Sequence, residues 1–355
     1  MPGDLDHRKI GTLQFLTFER RCGILGPVKA VVISEPGPPD VLEIREVGDP
    51  VPGPDEVVIR VRASALNRAD LLQRLGRYPA PPGSPADIPG LEYAGEVERC
   101  GPEAHDLAVG ERVMGIVGGG AHAERLAAHH ATCLRVPDGF SWEQAAATPQ
   151  VFLTAFDALV VQAAIRGGET LLLHAAASGV GIAAAQIAAR SGASVIGLSR
   201  DPRKRDLLMG LGLDAVLDSG SERLVSEVRK VAGDRGVDVV LDLVGASMAR
   251  VNLEVLATGG RWLLQGLLGG TSAEIDLATL LRKRITIRGS VLRPRPLREK
   301  IALVRRFARE GLPLLVSGAL LPTVDSVFPM DRVTDAHVKM ESNSHFGKIV
   351  LRMEP

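Results

Sequence analysis

The stretch Thr170–Asp201, TLLLHAAASGVGIAAAQIAARSGASVIGLSRD, decides the fold. It opens with an apolar run, turns through small residues, continues as an Ala-rich segment of helical composition and returns to a second apolar run, SVIGL. Strand, glycine turn, helix and strand in that order make one βαβ unit. Neither run alternates with polar residues, as expected of strands in a parallel sheet covered on both faces by helices. The turn Ala176-Ala177-Ser178-Gly179-Val180-Gly181 stands where a dinucleotide-binding unit carries GxGxxG, with Ala first and Ser second. Small residues let the backbone approach a pyrophosphate, and the helix N-terminus adds free amides and a positive dipole end. The motif is degenerate; its place between strand and helix makes it a candidate dinucleotide site. A small-residue packing turn is the alternative.

The end of the second strand selects the dinucleotide. An NAD site usually carries an acid about 20 residues beyond the glycines. Here SVIGL runs into Ser199-Arg200, with Arg203 and Lys204 close behind. A hydroxyl and cations suit a 2′-phosphate, so NADPH is expected. A solvated basic helix start is the other reading, and Asp201 is read as the cap of that helix. Downstream, DPRKRDLLMGLGLDAVLD, VDVVLDLVG, GRWLLQGLLGG and TIRGSVL alternate helix and strand, which indicates a doubly wound parallel sheet.

Upstream the texture is different. VKAVVIS (28–34), EVVIRVRASAL (56–66), EYAGEVERCG and GERVMGIV read as strands separated by Gly and Pro turns, an all-β, barrel-like domain. RLGRYPAPPGSPADIPG carries prolines at 79, 81, 82, 85 and 89 and is a shaped loop. Helical composition begins after Ser141, a suitable N-cap. At the far end an amphipathic helix, LREKIALVRRFAREG, precedes the strand GKIVLRM.

The bulk numbers agree with two globular domains. The 355 residues carry 42 Lys+Arg against 42 Asp+Glu, 45% hydrophobic and only 3% aromatic residues. A zero formal charge favours neither a nucleic-acid footprint nor an anionic-membrane anchor. No run reaches the ~18 apolar residues of a membrane span. Cys22, Cys100 and Cys133 make neither a disulfide framework nor a CxxC pair, which fits a reducing, cytoplasmic setting. Residues 1–27 mix both charge signs and lack the apolar core of a secretory signal. They read as a dispensable, disordered extension.

Several segments together carry a family resemblance: SALNRADLLQRLGRYPAPPG, IPGLEYAGEVE, VGERVMGIVGGGAHAE, AAATPQVFLTAFDAL, LLLHAAASGVGIAAAQIA, LDLVG and GKIVL. From about Val28 to Leu351 the chain resembles the zinc-independent, ζ-crystallin-like quinone oxidoreductases of the medium-chain dehydrogenase/reductase superfamily. It is most similar to their tumour-suppressor-inducible subfamily. The resemblance implies a Rossmann domain, 151–289, inserted in a GroES-like domain, 28–150, which residues 290–355 complete. Zinc relatives place Cys where Asn67 stands and His where Leu91 stands, and Asn and Leu replace neither ligand. The lobe of closely spaced cysteines is missing as well. His122, His129, His130 and Cys133 match no metal spacing, so no metal site is expected.

What the resemblance implies for the site is specific. Asn67, Asp70 and Tyr78 fall on the substrate side, where Tyr78 could bond a carbonyl oxygen or stack on a flat ring. Loop packing for Tyr78 and a turn-holding role for Asn67 and Asp70 are the alternatives. Thr154 falls near the nicotinamide, Ser178, Gly179 and Val180 at the pyrophosphate, and Ser199 and Lys204 at the 2′-phosphate. Leu243, Gly245, Leu267, Gly269, Arg293, Asn343 and Lys348 also fall on the cofactor side. A family tyrosine that covers the adenosine is Ser219 here. The implied reaction is reduction of quinones by NADPH. The competing readings are an enoyl-thioester or alkenal reductase, and a binding protein without turnover. The stretch Trp262–Leu268 is expected at the sheet edge, and the resemblance implies a homodimer paired there.

Overall fold

The structure, a computed structural model, describes residues 26–353; the expected N-terminal extension lies, up to residue 25, outside the described residues. Six strands lie side by side in the order Ala215–Leu217, Ser194–Leu198, Thr170–Leu173, Val237–Asp242, Leu256–Leu264 and Thr286–Gly289, each parallel to its neighbours. Along the chain this is the doubly wound order 3-2-1-4-5-6. Val237–Asp242 is buried along its whole length, as its apolar sequence requires. The helix Gly179–Arg190 buries Ala183, Ala184, Ala185 and Ala188, and methyl side chains let it lie close to the sheet. At its first turn a Cβ on Gly181 would sit 2.5 Å from the Ala176 carbonyl oxygen, so only glycine fits there.

A second, seven-stranded sheet runs Val324–Pro329, Lys348–Arg352, Glu56–Ala65, Glu92–Cys100, Arg112–Ile116, Cys133–Arg135, with Arg125–His129 paired to Glu56–Ala65 off this path. The closing strand brings the chain's end back to this sheet. Val350, Leu351 and Arg352 pair antiparallel with Ala65, Ser64 and Ala63. The doubly wound sheet is thus set between two contributions to a β domain, the fold class that the sequence implies. One apolar cluster joins the two units, with Ala63, Met114 and Val350 on one side, Leu171, Leu241 and Ile182 on the other, and Phe152 between them.

Local signals were read correctly at several places. Ser141 caps the helix Trp142–Ala146 by accepting the Gln144 amide, and Asp201 caps Pro202–Gly210 by accepting the Arg203 amide. The proline-rich stretch 76–91 holds no helix or strand. The stretch of helical composition continues in a second helix, Pro149–Phe156, which starts at a proline suited to a first turn. One expectation needs correction. Trp262 is not on an edge strand: Leu256–Leu264 is paired on both sides, and Thr286–Gly289 forms the edge with all four residues exposed. Which strand lies outermost depends on the order of pairing. No helix of the described residues is long and apolar enough to cross a membrane.

Gly181→Ala should destabilise the protein by about 1–3 kcal/mol, the usual cost of overpacking against groups that cannot move aside. A thermal melt falling by several degrees is the expected result; an unchanged melt would show that the helix start is not pressed on the strand.

Candidate functional site

The strand order reverses between Thr170–Leu173 and Val237–Asp242, and beyond their carboxyl ends lies the crevice where this fold takes ligands. One wall is the turn 176–181. Ser178 Oγ accepts the Gly181 amide at 3.1 Å, which leaves the Gly179 and Val180 amides without an intrahelical acceptor. The opposite wall is the turn Leu243-Val244-Gly245, held by one carboxylate. Asp242 accepts from His174 Nδ1 at 3.0 Å, from the Val244 and Gly245 amides at 2.8 Å, and from Asn252 Nδ2 and Trp262 Nε1 at 2.9 Å. Burial works against its charge, yet these bonds, led by His174, hold the carboxyl below its ordinary value. Gly245 takes a φ of 84°, which favours glycine. The Gly269 amide donates to the Val244 carbonyl at 2.7 Å, lacing this turn to the loop on which Leu267 and Leu268 stand exposed.

The third wall comes from the β domain. Lys348 is only 4% exposed, and its ammonium donates to Glu92 Oε1 at 2.7 Å, to Asn67 Oδ1 at 2.9 Å and to the Leu66 carbonyl. Asn67 Nδ2 donates to the same Glu92 oxygen at 3.0 Å. The Gln150 amide donates to Glu92 Oε2 at 2.8 Å, and the Gln150 side chain reaches Thr154 Oγ1 at 3.5 Å. Burial pushes the Glu92 carboxyl up, and Lys348 leads the groups that pull it back. The methylenes of Lys348 lie on Gly179, where a Cβ would fall 2.7 Å from Cδ. Beside them the Gly347 amide donates to the Ala177 carbonyl at 3.0 Å. At the far end of the crevice Ser199 is nearly buried, and Lys204 Nζ donates to the Asn343 carbonyl at 2.5 Å.

The structure thus brings Asn67, Thr154, Ser178, Gly179 and Lys348 to one junction, and Lys204 and Asn343 to another. Two expected roles change. Asp70 is fully buried, and its carboxylate accepts the Asn67 amide at 2.7 Å and the Gly90 amide at 3.0 Å. It holds the turn and does not face substrate. Arg293 is 5% exposed and donates to the Gly118 carbonyl at 2.7 Å, the Tyr78 carbonyl at 3.2 Å and Gln73 Oε1 at 2.6 Å. Its guanidinium lies 5.2 Å from the Tyr78 ring centre, so it braces the substrate-side loop and is not free to hold a cofactor. Lys348 reaches across the crevice as expected, its stem on Gly179 of the phosphate turn and its ammonium on Glu92 and Asn67. Tyr78 is half-buried on that loop, and burial raises its phenol above the ordinary value. Glu92, Gln150 and Asp242 were missed as site residues, because their roles depend on partners far away in the chain.

Residues 179–309 match a family model described as zinc-binding dehydrogenase, and residues 53–138 match an alcohol dehydrogenase GroES-like domain. A quinone oxidoreductase of Lama guanicoe is 30% identical over 331 residues, covering 92% of this chain and 98% of that protein. The chain belongs to the medium-chain dehydrogenase/reductase superfamily. A mycobacterial member solved in complex with NADPH has a TM-score of 0.83 and 30% identity, covering 92% of this chain and 99% of that one. The enoyl reductase CurK has a TM-score of 0.81 and 28% identity, covering 93% of this chain and 100% of that one. The chain also matches a polyketide synthase of Mycobacterium tuberculosis at 32% identity, spanning 90% of this chain but 15% of that protein. Membership makes this an oxidoreductase fold with a nicotinamide cofactor crevice.

The residues present fit the dinucleotide and do not fit the zinc in the family model's description. For the dinucleotide there are the Gly179 and Val180 amides, a turn without room for side chains, and a cation at the neighbouring strand end. For a zinc ion the donors would be an amide, a leucine and a carboxylate already paired with an ammonium, and these make no zinc set. Among the described residues a metal-type group occurs only at Asp55, His129 and His130, at the starts and ends of strands of the β domain. His122 is fully buried, bonded through Nδ1 to Ser64 Oγ at 2.8 Å, and Cys133 lies 3.2 Å from the Tyr93 hydroxyl.

Two measurements test this arrangement. Lys348→Met strands the Glu92 carboxylate, so denaturant unfolding should show a loss of about 3–5 kcal/mol. Adding Glu92→Gln should recover part of that loss; strictly additive losses would show that the pair is not coupled. The second concerns acid. Burial, then Lys348, depress the His122 imidazole from 6.5 to about 3, so the folded state keeps it neutral. Its contribution is present above pH 6.5 and is lost as pH falls toward 3, because the unfolded chain takes the proton first. Between pH 6.5 and 4 the stability of His122→Asn should therefore fall less steeply than that of the parent. Parallel curves would contradict it.

Proposed function

We propose that this chain is a zinc-independent oxidoreductase that passes reducing equivalents from NADPH to quinones. The observation that carries the reading is the Lys348 ammonium, bonded to Asn67, at the position of the zinc relatives' cysteine ligand, and to Glu92, next to Leu91 at the position of their histidine ligand. Alcohol oxidation needs a Lewis acid to stabilise an alkoxide. A quinone is already a good electron acceptor and needs chiefly placement and dry surroundings. The full-length similarity to a quinone oxidoreductase supports the same reaction.

When bound, NADPH supplies the hydride. The protein's part is to hold and shield. The Gly179 and Val180 amides suit the pyrophosphate, and Ser199 and Lys204 suit the 2′-phosphate. Thr154 and Asn67, fixed by Gln150 and Lys348, present polar atoms at the junction of the domains. Tyr78 offers a hydroxyl to a carbonyl oxygen or a ring face to a quinone, with Arg293 fixing its loop. Leu267 and Leu268 stand exposed on the loop tied to the Leu243–Gly245 turn and offer apolar surface there. A homodimer fits the exposed edge strand Thr286–Gly289, where Ile287 is left uncovered.

Reduction of an activated C=C bond is the second reading, supported by the similarity to an enoyl reductase. NADPH oxidation with a panel of quinones, enones and acyl-CoA substrates separates the two. Quinones should give the highest kcat/KM; a 10-fold preference for an enoyl thioester would replace the proposal. Lys204→Glu should raise KM for NADPH about 10- to 100-fold, the loss of a charge-assisted bond of ~1.5–3 kcal/mol, and change that for NADH little. Equal shifts for both would reject the 2′-phosphate role.

A further inference from the structure

Two cations, one from each domain, converge on the segment 343–345, beside His345; Glu341 faces Arg68, and Asp201 and Asp325 face Lys204, without a direct ion pair to either. Lys204, on the helix Pro202–Gly210 of the Rossmann sheet, donates to the Asn343 carbonyl at 2.5 Å. Arg68, on the helix Arg68–Arg74 of the β domain, donates to Asn343 Oδ1 at 2.5 Å. His345 keeps a buried Nδ1 with no hydrogen-bond partner. The acids nearby are committed elsewhere. Glu341 pairs with Arg74, while Asp325 pairs with Lys339 at 2.6 Å and accepts the Phe346 amide at 2.8 Å. Among the described residues neither Arg68 nor Lys204 makes an ion pair. Both are partly desolvated, which lowers their pKa values. Asn343 itself sits at a φ of 53°, a left-handed conformation that Asn tolerates better than most residues.

Taking two cations partly out of water against neutral amide oxygens costs free energy that an anion would return. A phosphate offers what this place lacks: charge, and acceptor oxygens in the geometry an arginine fork matches. The segment's contact with Lys204, on the helix that follows the strand after the glycine turn, marks which phosphate. We infer that Arg68 and His345 complete, with Lys204, a binding site for the 2′-phosphate of the dinucleotide that spans both domains. This rests on the NADPH reading above and adds two specificity-determining residues that the sequence motif did not contain. Because Arg68 belongs to one domain and Lys204 to the other, occupation of the site ties the crevice closed across its adenosine end.

The test uses the full chain and two pairs of probes: NADPH against NADH, and adenosine 2′,5′-bisphosphate against adenosine 5′-monophosphate, titrated at fixed ionic strength. Arg68→Met should weaken NADPH and the bisphosphate at least 10-fold and change NADH and the monophosphate less than 2-fold. Arg68→Lys should restore part of the preference, and His345→Gln should reduce it about 3-fold with an unchanged melt. If Arg68→Met weakens all four probes alike, or none, the two-domain site is overturned. The parent protein and Lys204→Glu report on the reading beneath it. A parent that binds NADPH no better than NADH removes that reading. A parent with the preference, lost in Lys204→Glu but kept in Arg68→Met and His345→Gln, removes this inference alone.

Discussion

The Lys348 ammonium, buried between Glu92, Asn67 and the Leu66 carbonyl, is the contact on which the site depends. It answers three acceptors with the three protons an ammonium has, so its charge is fully engaged. Its stem lies on Gly179 and its neighbour Gly347 bonds Ala177, which fixes the last strand to the turn that opens the nucleotide-binding helix. One side chain thus joins the closing strand, the substrate-side turn and the phosphate-side turn. A buried pair of this kind is costly to desolvate and more costly to break, because either partner alone would be an uncompensated charge. Its service is therefore to specify one geometry at the junction, more than to add net stability.

The same logic separates the other buried carboxylates. Asp242 gathers five donors and keeps its charge through them; the result is a rigid turn at the crevice rim. Asp70 spends its oxygens on the amides of Asn67 and Gly90, and so sets the angle at which Asn67 enters the junction. Neither has an oxygen to spare for substrate. Glu92 differs, since its partners are a cation, an amide side chain and the amide of Gln150, all lining the same space. Three acids, each buried, divide into two that shape backbone and one that positions polar side chains.

Local chemistry was legible in the sequence and long-range chemistry was not. The βαβ unit, the caps at Ser141 and Asp201, and the glycine turn were readable because each is decided within a few residues. The parallel sheet followed from the unbroken apolar strands. The outermost strand did not, since nothing within Leu256–Leu264 tells that Thr286–Gly289 pairs beyond it, and only the order of pairing does. Arg293 and Lys348 stood in positions that resemblance assigned to the cofactor. Their partners lie 220 and 281 residues away in the chain, at Gln73 and Asn67, and no window on the sequence shows such a pair. Arg68 was invisible as an anion ligand for the same reason, 275 residues from Asn343.

This distribution explains why the phosphate turn departs from GxGxxG without losing its purpose. Each small residue there answers a particular neighbour. Gly181 is small because the Ala176 carbonyl lies where its Cβ would be, a demand of helix and strand alone. Gly179 is small because Lys348 crosses it, a demand made by the other domain. Ser178 has room for a side chain, and its hydroxyl caps the helix, sparing one amide from needing an outside partner. A glycine at 178 would leave that amide open and loosen the turn. A side chain at 179 would push Lys348 off its acceptors. The turn therefore answers two demands, a helix cap supplied by Ser178 and the passage of Lys348 across Gly179 toward Glu92.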